Sequence, residues 1–71
     1  MTQGKIKWFD STNGFGFIAP DDGGKDIFVH KNNVEGLGYN EGLEDGESVE
    51  FDIEETPKGP SAIDVRSLDY K

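Results

Sequence analysis

Hydrophobic and polar positions alternate most regularly near residue 50. Between residues 49 and 54, three apolar residues alternate with three acidic ones. Successive side chains of a β-strand point to opposite faces, so this segment predicts a strand with Val49, Phe51 and Ile53 in the core and an acidic outer face. The last predicted strand, residues 61–68, follows the same pattern, with Ile63 and Val65 pointing inward.

β-Branched and aromatic residues also cluster in three earlier segments, which predicts three further strands. These segments are residues 5–9, 15–19 and 26–30. In the first, simple alternation would place Ile6 and Trp8 on one face. We expect Ile6 inside and Trp8 outside, which requires a β-bulge near Lys7. In the third, Ile27 and Val29 form an aliphatic face that is predicted to join the core.

Five short strands separated by turn residues predict an all-β fold, and no segment has a helical hydrophobic period. A chain of 71 residues has a small core. Closing the sheet into an antiparallel barrel would hide strand edges that so short a chain cannot otherwise cover. The predicted core residues are Ile6, Ile18, Ile27, Val29, Val34, Val49, Phe51, Ile53, Ile63 and Val65.

The segment 13–18 reads Asn-Gly-Phe-Gly-Phe-Ile. Phe15 and Phe17 point to one face of a strand, whereas Gly14 and Gly16 leave the other face nearly bare until Ile18. Glycine at such positions lets another backbone approach closely or lets the strand bend sharply. Two rings on one side of a bent strand are typical of a platform for flat ligands such as unpaired nucleic-acid bases.

Charge is distributed unevenly along the chain. The formal net charge is −8, yet residues 1–31 hold four lysines against four aspartates, and the acidic excess lies in residues 32–71. Overall negative charge slows approach to a polyanion but leaves a neutral face free to bind one. The absence of cysteine excludes disulfides and thiolate zinc sites. Without a signal-like or membrane-spanning apolar run, we expect a cytoplasmic protein with no membrane association.

Six ring-bearing side chains are predicted to point away from the core. They are Trp8, Phe15, Phe17, Phe28, His30 and Tyr39. Exposed together, these rings would form an apolar patch of the kind that marks a binding site, although a second core or a dimer interface is an alternative. Five lysines could meet phosphates around the rings: Lys5, Lys7, Lys25, Lys31 and Lys58.

Four segments, in this order and spacing, resemble the bacterial cold-shock proteins over essentially the whole chain. They are residues 4–9, 13–18, 26–30 and 58–60. The resemblance implies a single cold-shock domain over residues 1–71, with the oligonucleotide/oligosaccharide-binding (OB) barrel and two ribonucleoprotein-like motifs. It also implies binding of single-stranded RNA and DNA by a monomer, an RNA chaperone role and, in some members, transcription antitermination. The contact positions that it implies are Lys7, Trp8, Phe15, Phe17, Phe28, His30, Tyr39 and Lys58, with Phe9 as a partly buried neighbour.

The chain departs from the usual pattern of that family at several positions. Lysine is usual at the position of Asn13, and asparagine is common at that of Asp10. Lys31 stands where a phenylalanine is usual, so a cation replaces one stacking ring, and we include Lys31 among the predicted contacts. The acidity of residues 32–71 also exceeds that of most members, and one hypothesis is adaptation to a high-salt cell interior.

Other functions fit the sequence less well. His30 is the one histidine and no cysteine accompanies it, so a metal site is not predicted. Paired carboxylates such as Asp21 and Asp22 adjoin turns rather than a pocket, and neither catalytic residues nor a cofactor are predicted. A peptide-binding barrel remains an alternative, since aromatic grooves also hold proline-rich segments. An RNA-recognition motif would need two helices.

Overall fold

The structure is a computed structural model that describes residues 2–36 and 42–69. The described residues form five strands and one short 3₁₀ turn. The elements are β1 (Thr2–Asp10), β2 (Phe15–Pro20), β3 (Ile27–His30), the 3₁₀ turn (Lys31–Asn33), β4 (Ser48–Thr56) and β5 (Gly59–Ser67). No α-helix occurs within residues 2–36 and 42–69, which argues against an RNA-recognition motif.

The strands close into a barrel in the order β1-β2-β3-β5-β4. Neighbouring strands are antiparallel except for β3 and β5, which meet in parallel at Phe28 and Ser61 and so close the barrel. The predicted all-β, five-stranded barrel is therefore confirmed, with one short parallel contact in place of a wholly antiparallel sheet. The closed order puts β1, β2 and β3 side by side, with β4 beside β1 and β5 beside β3.

The predicted bulge in β1 is confirmed. Ile6 pairs with Ile18, but Trp8 pairs with Phe17, so Lys7 is the extra residue in the ladder. The bulge turns successive side chains as expected, because Ile6 is buried and Trp8 is 39% exposed. A shift at one residue thus allows β1 to serve both the core and the outer surface.

Close backbone contact explains the glycine at position 16. A Cβ atom there would lie 2.3 Å from the carbonyl oxygen of Trp8 and 2.8 Å from the Cα of Phe9. Only glycine fits that gap without moving the backbone of β1. The bare inner side of β2 therefore lets two strands approach, which brings the rings of β1 and β2 together on the outside.

The core contains eight of the ten predicted residues, and two predictions are wrong. The buried hydrophobic side chains are Ile6, Ile18, Ile27, Val29, Val34, Leu43, Val49, Phe51, Ala62 and Val65. Ile53 is instead 44% exposed, and Ile63 is only partly buried. Leu43 and Ala62 take part in their place, and Phe9 packs against the cluster as a partly buried neighbour.

A bulge in β5 explains the error at Ile63. The pairing changes from Glu50 with Arg66 to Asp52 with Ile63, which inserts one extra residue into β5. Asp64 lies in that insertion with a φ of 53°. The shift breaks strict alternation, so Ala62 and Val65 face the core while Ile63 turns partly outward.

Ile53 is exposed for a different reason. The last described pair between β1 and β4 joins Thr2 to Phe51. Beyond that pair, in the described part of the chain, β4 continues with only β5 beside it, where Ile53 pairs with Ala62. The inward direction of Ile53 is as predicted by alternation, but no strand of the described chain covers it there.

In the described residues, no helix is long and apolar enough to cross a bilayer.

Candidate functional site

Four aromatic rings form a connected group on the outer face of β1, β2 and β3. Trp8 meets Phe15 edge to face, with ring centroids 5.7 Å apart, and is tilted against Phe17 at 5.5 Å. Phe28 stacks on Phe15 at 6.0 Å and meets Phe17 edge to face at 5.8 Å. We call these four rings, Trp8, Phe15, Phe17 and Phe28, the platform.

Cross-strand pairing produces the platform. Trp8 on β1 is opposite Phe17 on β2, and Phe17 is opposite Phe28 on β3. Directly opposed side chains on one face of a sheet have Cβ atoms about 5 Å apart, which is close enough for rings to touch. Phe15 enters the same face two residues before Phe17.

The platform is not covered within the described chain. Trp8 and Phe28 are 39% and 37% exposed, and Phe15 and Phe17 are partly buried by the rings beside them. None of the four belongs to the buried core, so the prediction that aliphatic residues fill the barrel while rings line its outside is confirmed for them. A second hydrophobic core is excluded within the described chain, since it would bury these rings.

His30 extends the row of rings at one end. It pairs with Phe15 across β2 and β3, and it is partly buried. Its Nδ1 accepts a hydrogen bond from the backbone N–H of Asn32 (3.1 Å), which caps the 3₁₀ turn. In a neutral imidazole the other nitrogen then carries the proton, so Nε2 is the donor that His30 offers to a ligand.

Two of the predicted lysines are engaged by aspartates. The Nζ of Lys7 lies 2.8 Å from Oδ2 of Asp26, and the Nζ of Lys5 lies 3.7 Å from Oδ1 of Asp21. Both pairs are exposed, so each contributes little to stability. Each pair nevertheless places a carboxylate beside a lysine that is predicted from the sequence to contact phosphate.

A cleft of about 410 Å³ adjoins the platform at its other end. Phe17 and Phe28 form one side, and Lys58, Pro60 and Asp26 are among the remaining lining residues. The turn between β4 and β5 fixes this side of the cleft. Within it, the backbone N–H of Lys58 donates to Thr56 Oγ1 (3.2 Å), and that hydroxyl donates to the Gly59 carbonyl (2.7 Å).

The remaining predicted residues fall in different places. Lys31 is exposed and follows His30 at the start of the 3₁₀ turn, where its stem lies against Gly14. Tyr39 lies outside the described residues. Asn13, which stands where lysine is usual in the family, binds within its own turn: its Nδ2 donates to Asp10 Oδ2 (2.8 Å).

Asp26 is the residue at this site that the sequence prediction omits. It pairs with Lys7 and lines the cleft. Its position offered a signal, because Asp26, Phe28 and His30 are two residues apart and so share one face of an extended segment.

Within residues 2–36 and 42–69, no three His, Cys, Asp or Glu side chains are arranged to hold a metal ion. No buried side-chain nitrogen or oxygen in this part of the chain lacks a hydrogen-bond partner. The site consists of flat apolar rings bordered by lysines and an aspartate, and such a surface suits binding rather than bond-breaking chemistry.

Comparison with known proteins is consistent with this geometry. The family model of the "'Cold-shock' DNA-binding domain" matches residues 2–68. "Probable cold shock protein A" of Mycobacterium tuberculosis is 53% identical over 68 residues, which cover 96% of this chain and all of that protein. "Cold shock-like protein CspB" of Yersinia pestis is 52% identical over 92% of this chain and 91% of its own length.

A solved structure shares the fold. "Drosophila Unr CSD456" superposes with a TM-score of 0.73 and 23% sequence identity, over 96% of this chain and 26% of that longer chain. This likeness supports the OB-type barrel alone. The family match and the relatives extend over nearly every residue from 2 to 68, so this protein belongs to the cold-shock domain family, whose members bind nucleic acid and are not enzymes.

Proposed function

We propose that this protein binds single-stranded RNA and DNA by stacking unpaired bases on the platform, and that it acts as an RNA chaperone. Residues 1–71 work as one domain and one monomer, in the cytoplasm. The proposed contacts beyond the platform are Lys7, His30, Lys31, Tyr39 and Lys58. Transcription antitermination would be one consequence of the same binding, since it also depends on keeping RNA unpaired.

The connected, exposed set of four rings is the observation that carries the proposal. Bases of a single strand have two flat faces available, whereas bases in a duplex are already stacked and paired. The platform lies on β1, β2 and β3, in the half of the chain where lysines balance aspartates. A locally neutral surface can bind a polyanion even though the net charge of the chain is −8.

The energies involved are sufficient for useful affinity. Each stacked base contributes about 1–3 kcal/mol. Three or four bases on the platform and its neighbours would supply about 8 kcal/mol, which corresponds to micromolar binding. Few lysines are present, so most of the affinity would come from stacking and would depend only weakly on salt.

Stacking accounts for chaperone activity without ATP. A protein that binds only unpaired RNA stabilises the unpaired state by RT ln(1 + [P]/Kd), about 2.7 kcal/mol at a protein concentration of 100 Kd. Weak hairpins would open under that bias, whereas long duplexes would not. The RNA would refold when the protein dissociates.

Trp8 provides the test, because it is the one tryptophan and belongs to the platform. We expect oligothymidine to quench its fluorescence at micromolar concentration, and a duplex of equal length to have little effect. A proline-rich peptide, the ligand of the alternative peptide-binding function, should also have little effect. Quenching by the peptide but not by the single strand would overturn the proposal.

A further inference from the structure

The structure distinguishes the five lysines that the sequence assigns to phosphate. Lys5 and Lys7 each have an aspartate within 4 Å. Lys25, Lys31 and Lys58 have no carboxylate at that distance in residues 2–36 and 42–69. An ammonium group that already has a carboxylate partner gains less from a phosphate, because the first partner must be displaced.

Lys31 differs from Lys25 in how its side chain is held. A Cβ atom at Gly14 would lie 2.9 Å from Cδ and 3.2 Å from both Cγ and Cε of Lys31, so the stem packs on the glycine. The backbone N–H of Lys31 also donates to the Gly14 carbonyl (2.8 Å). A stem packed along its length has less rotamer freedom left to lose when the ammonium binds a ligand.

The end of the platform lies immediately beside this contact. Gly14 precedes Phe15 and Lys31 follows His30, and these two ring residues are paired across β2 and β3. Asp10 is the carboxylate of the same turn, and its oxygens accept hydrogen bonds from Thr12 and Asn13. Lys31 therefore brings a positive charge, with no carboxylate partner among the described residues, to the end of the platform opposite the cleft at Lys58.

We propose that Lys31 is a phosphate anchor that fixes the bound strand at the Phe15 and His30 end of the platform. This inference rests on the proposed binding of single strands. The ammonium contacts phosphate oxygens as a point charge, so it adds affinity equally for every base sequence. With Lys58 at the other end, the strand would run the length of the platform between two cations.

The test compares two substitutions that remove the same charge. Lys31→Met keeps the stem that packs on Gly14 but removes the ammonium. Arg66→Gln removes one positive charge from β5, where Arg66 pairs with Glu35 and Glu50 and is not a proposed contact. Affinity for oligothymidine would be measured from Trp8 fluorescence at several salt concentrations. Thermal melts of both variants would show that the barrel is intact, and Lys31→Gln would serve if the methionine variant is unstable.

We expect Lys31→Met to bind about two- to fivefold more weakly at low salt, with the slope of log K against log[salt] smaller by about 0.7. Arg66→Gln should stay close to the parent on both measures. Equal changes in the two variants, or none in Lys31→Met, would overturn the anchor while leaving base stacking intact. Failure of the parent protein to bind oligothymidine would instead overturn the proposed function itself.

Discussion

Asp10 organises the turn between β1 and β2. Its Oδ1 accepts hydrogen bonds from the backbone N–H groups of Thr12 (2.9 Å) and Asn13 (3.1 Å). The pKa of the Asp10 carboxyl lies below its usual value of 3.8, chiefly because the carboxylate accepts a hydrogen bond from the backbone N–H of Asn13. Hydrogen bonds from the side-chain amide of Asn13 and the backbone N–H of Thr12 lower this pKa further. The hydrogen bonds of the turn that carries Phe15 into the platform therefore favour the ionised form of Asp10.

Acid should weaken this turn. A pKa lowered in the folded state means that the contribution of Asp10 is complete above 3.8 and is lost as the pH falls through the lower, folded value. Asp10→Asn keeps a hydrogen-bond acceptor but cannot titrate, so it should lose less stability than the parent on acidification. Urea unfolding at about pH 6 and about pH 3, followed by Trp8 fluorescence, measures the difference.

Asp45→Asn, in an exposed turn before β4, is the matched control for removal of one negative charge. It should retain the parent's loss of stability between the two pH values. If both variants respond to acid alike, the effect of Asp10 is one of overall charge and not of its hydrogen bonds.

Individual residues differ in how well the sequence predicts them. The need to bury Ile6 and expose Trp8 predicts the bulge at Lys7, because two large apolar residues on one face cannot otherwise be separated. The pair between Lys7 and Asp26 is not predicted, since it joins residues 19 positions apart through the barrel's geometry. The packing of the Lys31 stem on Gly14 is not predicted either, because no local sequence pattern indicates it.

At the scale of the strands, β4 and β5 are the least well predicted. Their alternation is clear in the sequence, yet Ile53 and Ile63 are not in the core. The cause in β5 is the bulge at Asp64, whose φ of 53° is a conformation that glycine usually supplies. Because aspartate does not require this conformation, nothing in the sequence marks the bulge, and strict alternation wrongly places Ile63 in the core.

The bulge predicts the ranking of two substitutions at position 64. Asparagine tolerates the left-handed conformation, whereas the β-branched side chain of valine does not. Asp64→Val should therefore be about 1–2 kcal/mol less stable than Asp64→Asn, although both remove the same charge from an exposed site. Chemical denaturation of the pair measures this difference, and a valine variant as stable as the asparagine variant would contradict the assigned backbone.

At the scale of the whole molecule, the neutral and the acidic halves of the chain build different strands of the barrel. The neutral half of the chain builds β1, β2 and β3 with the platform, and the acidic half builds β4 and β5. The charge pattern is fully visible in the sequence. Where those charges lie on the barrel cannot be predicted from the sequence, because it depends on the order of the strands.

Salt should stabilise the protein. A net charge of −8 on a barrel of this size disfavours the compact state through repulsion among its carboxylates. The screening length falls from about 10 Å at 0.1 M salt to about 3 Å at 1 M. Thermal melts should shift upward as KCl rises, and the double variant Asp52→Asn/Glu54→Gln should shift less. A melting temperature that falls with KCl would count against the high-salt hypothesis.

The central claim is that exposed rings on β1–β3 bind unpaired bases, and the most direct measurement is the affinity of ring variants for oligothymidine. Phe15→Ala and Phe28→Ala should each cost about 1–3 kcal/mol, or roughly 5- to 150-fold in Kd, with the barrel intact by circular dichroism. Ile53→Ala is the control, since Ile53 is as exposed as Phe28 but lies on β4. If folded Phe15→Ala and Phe28→Ala proteins bind oligothymidine as tightly as the parent and Ile53→Ala, the platform is not the binding surface.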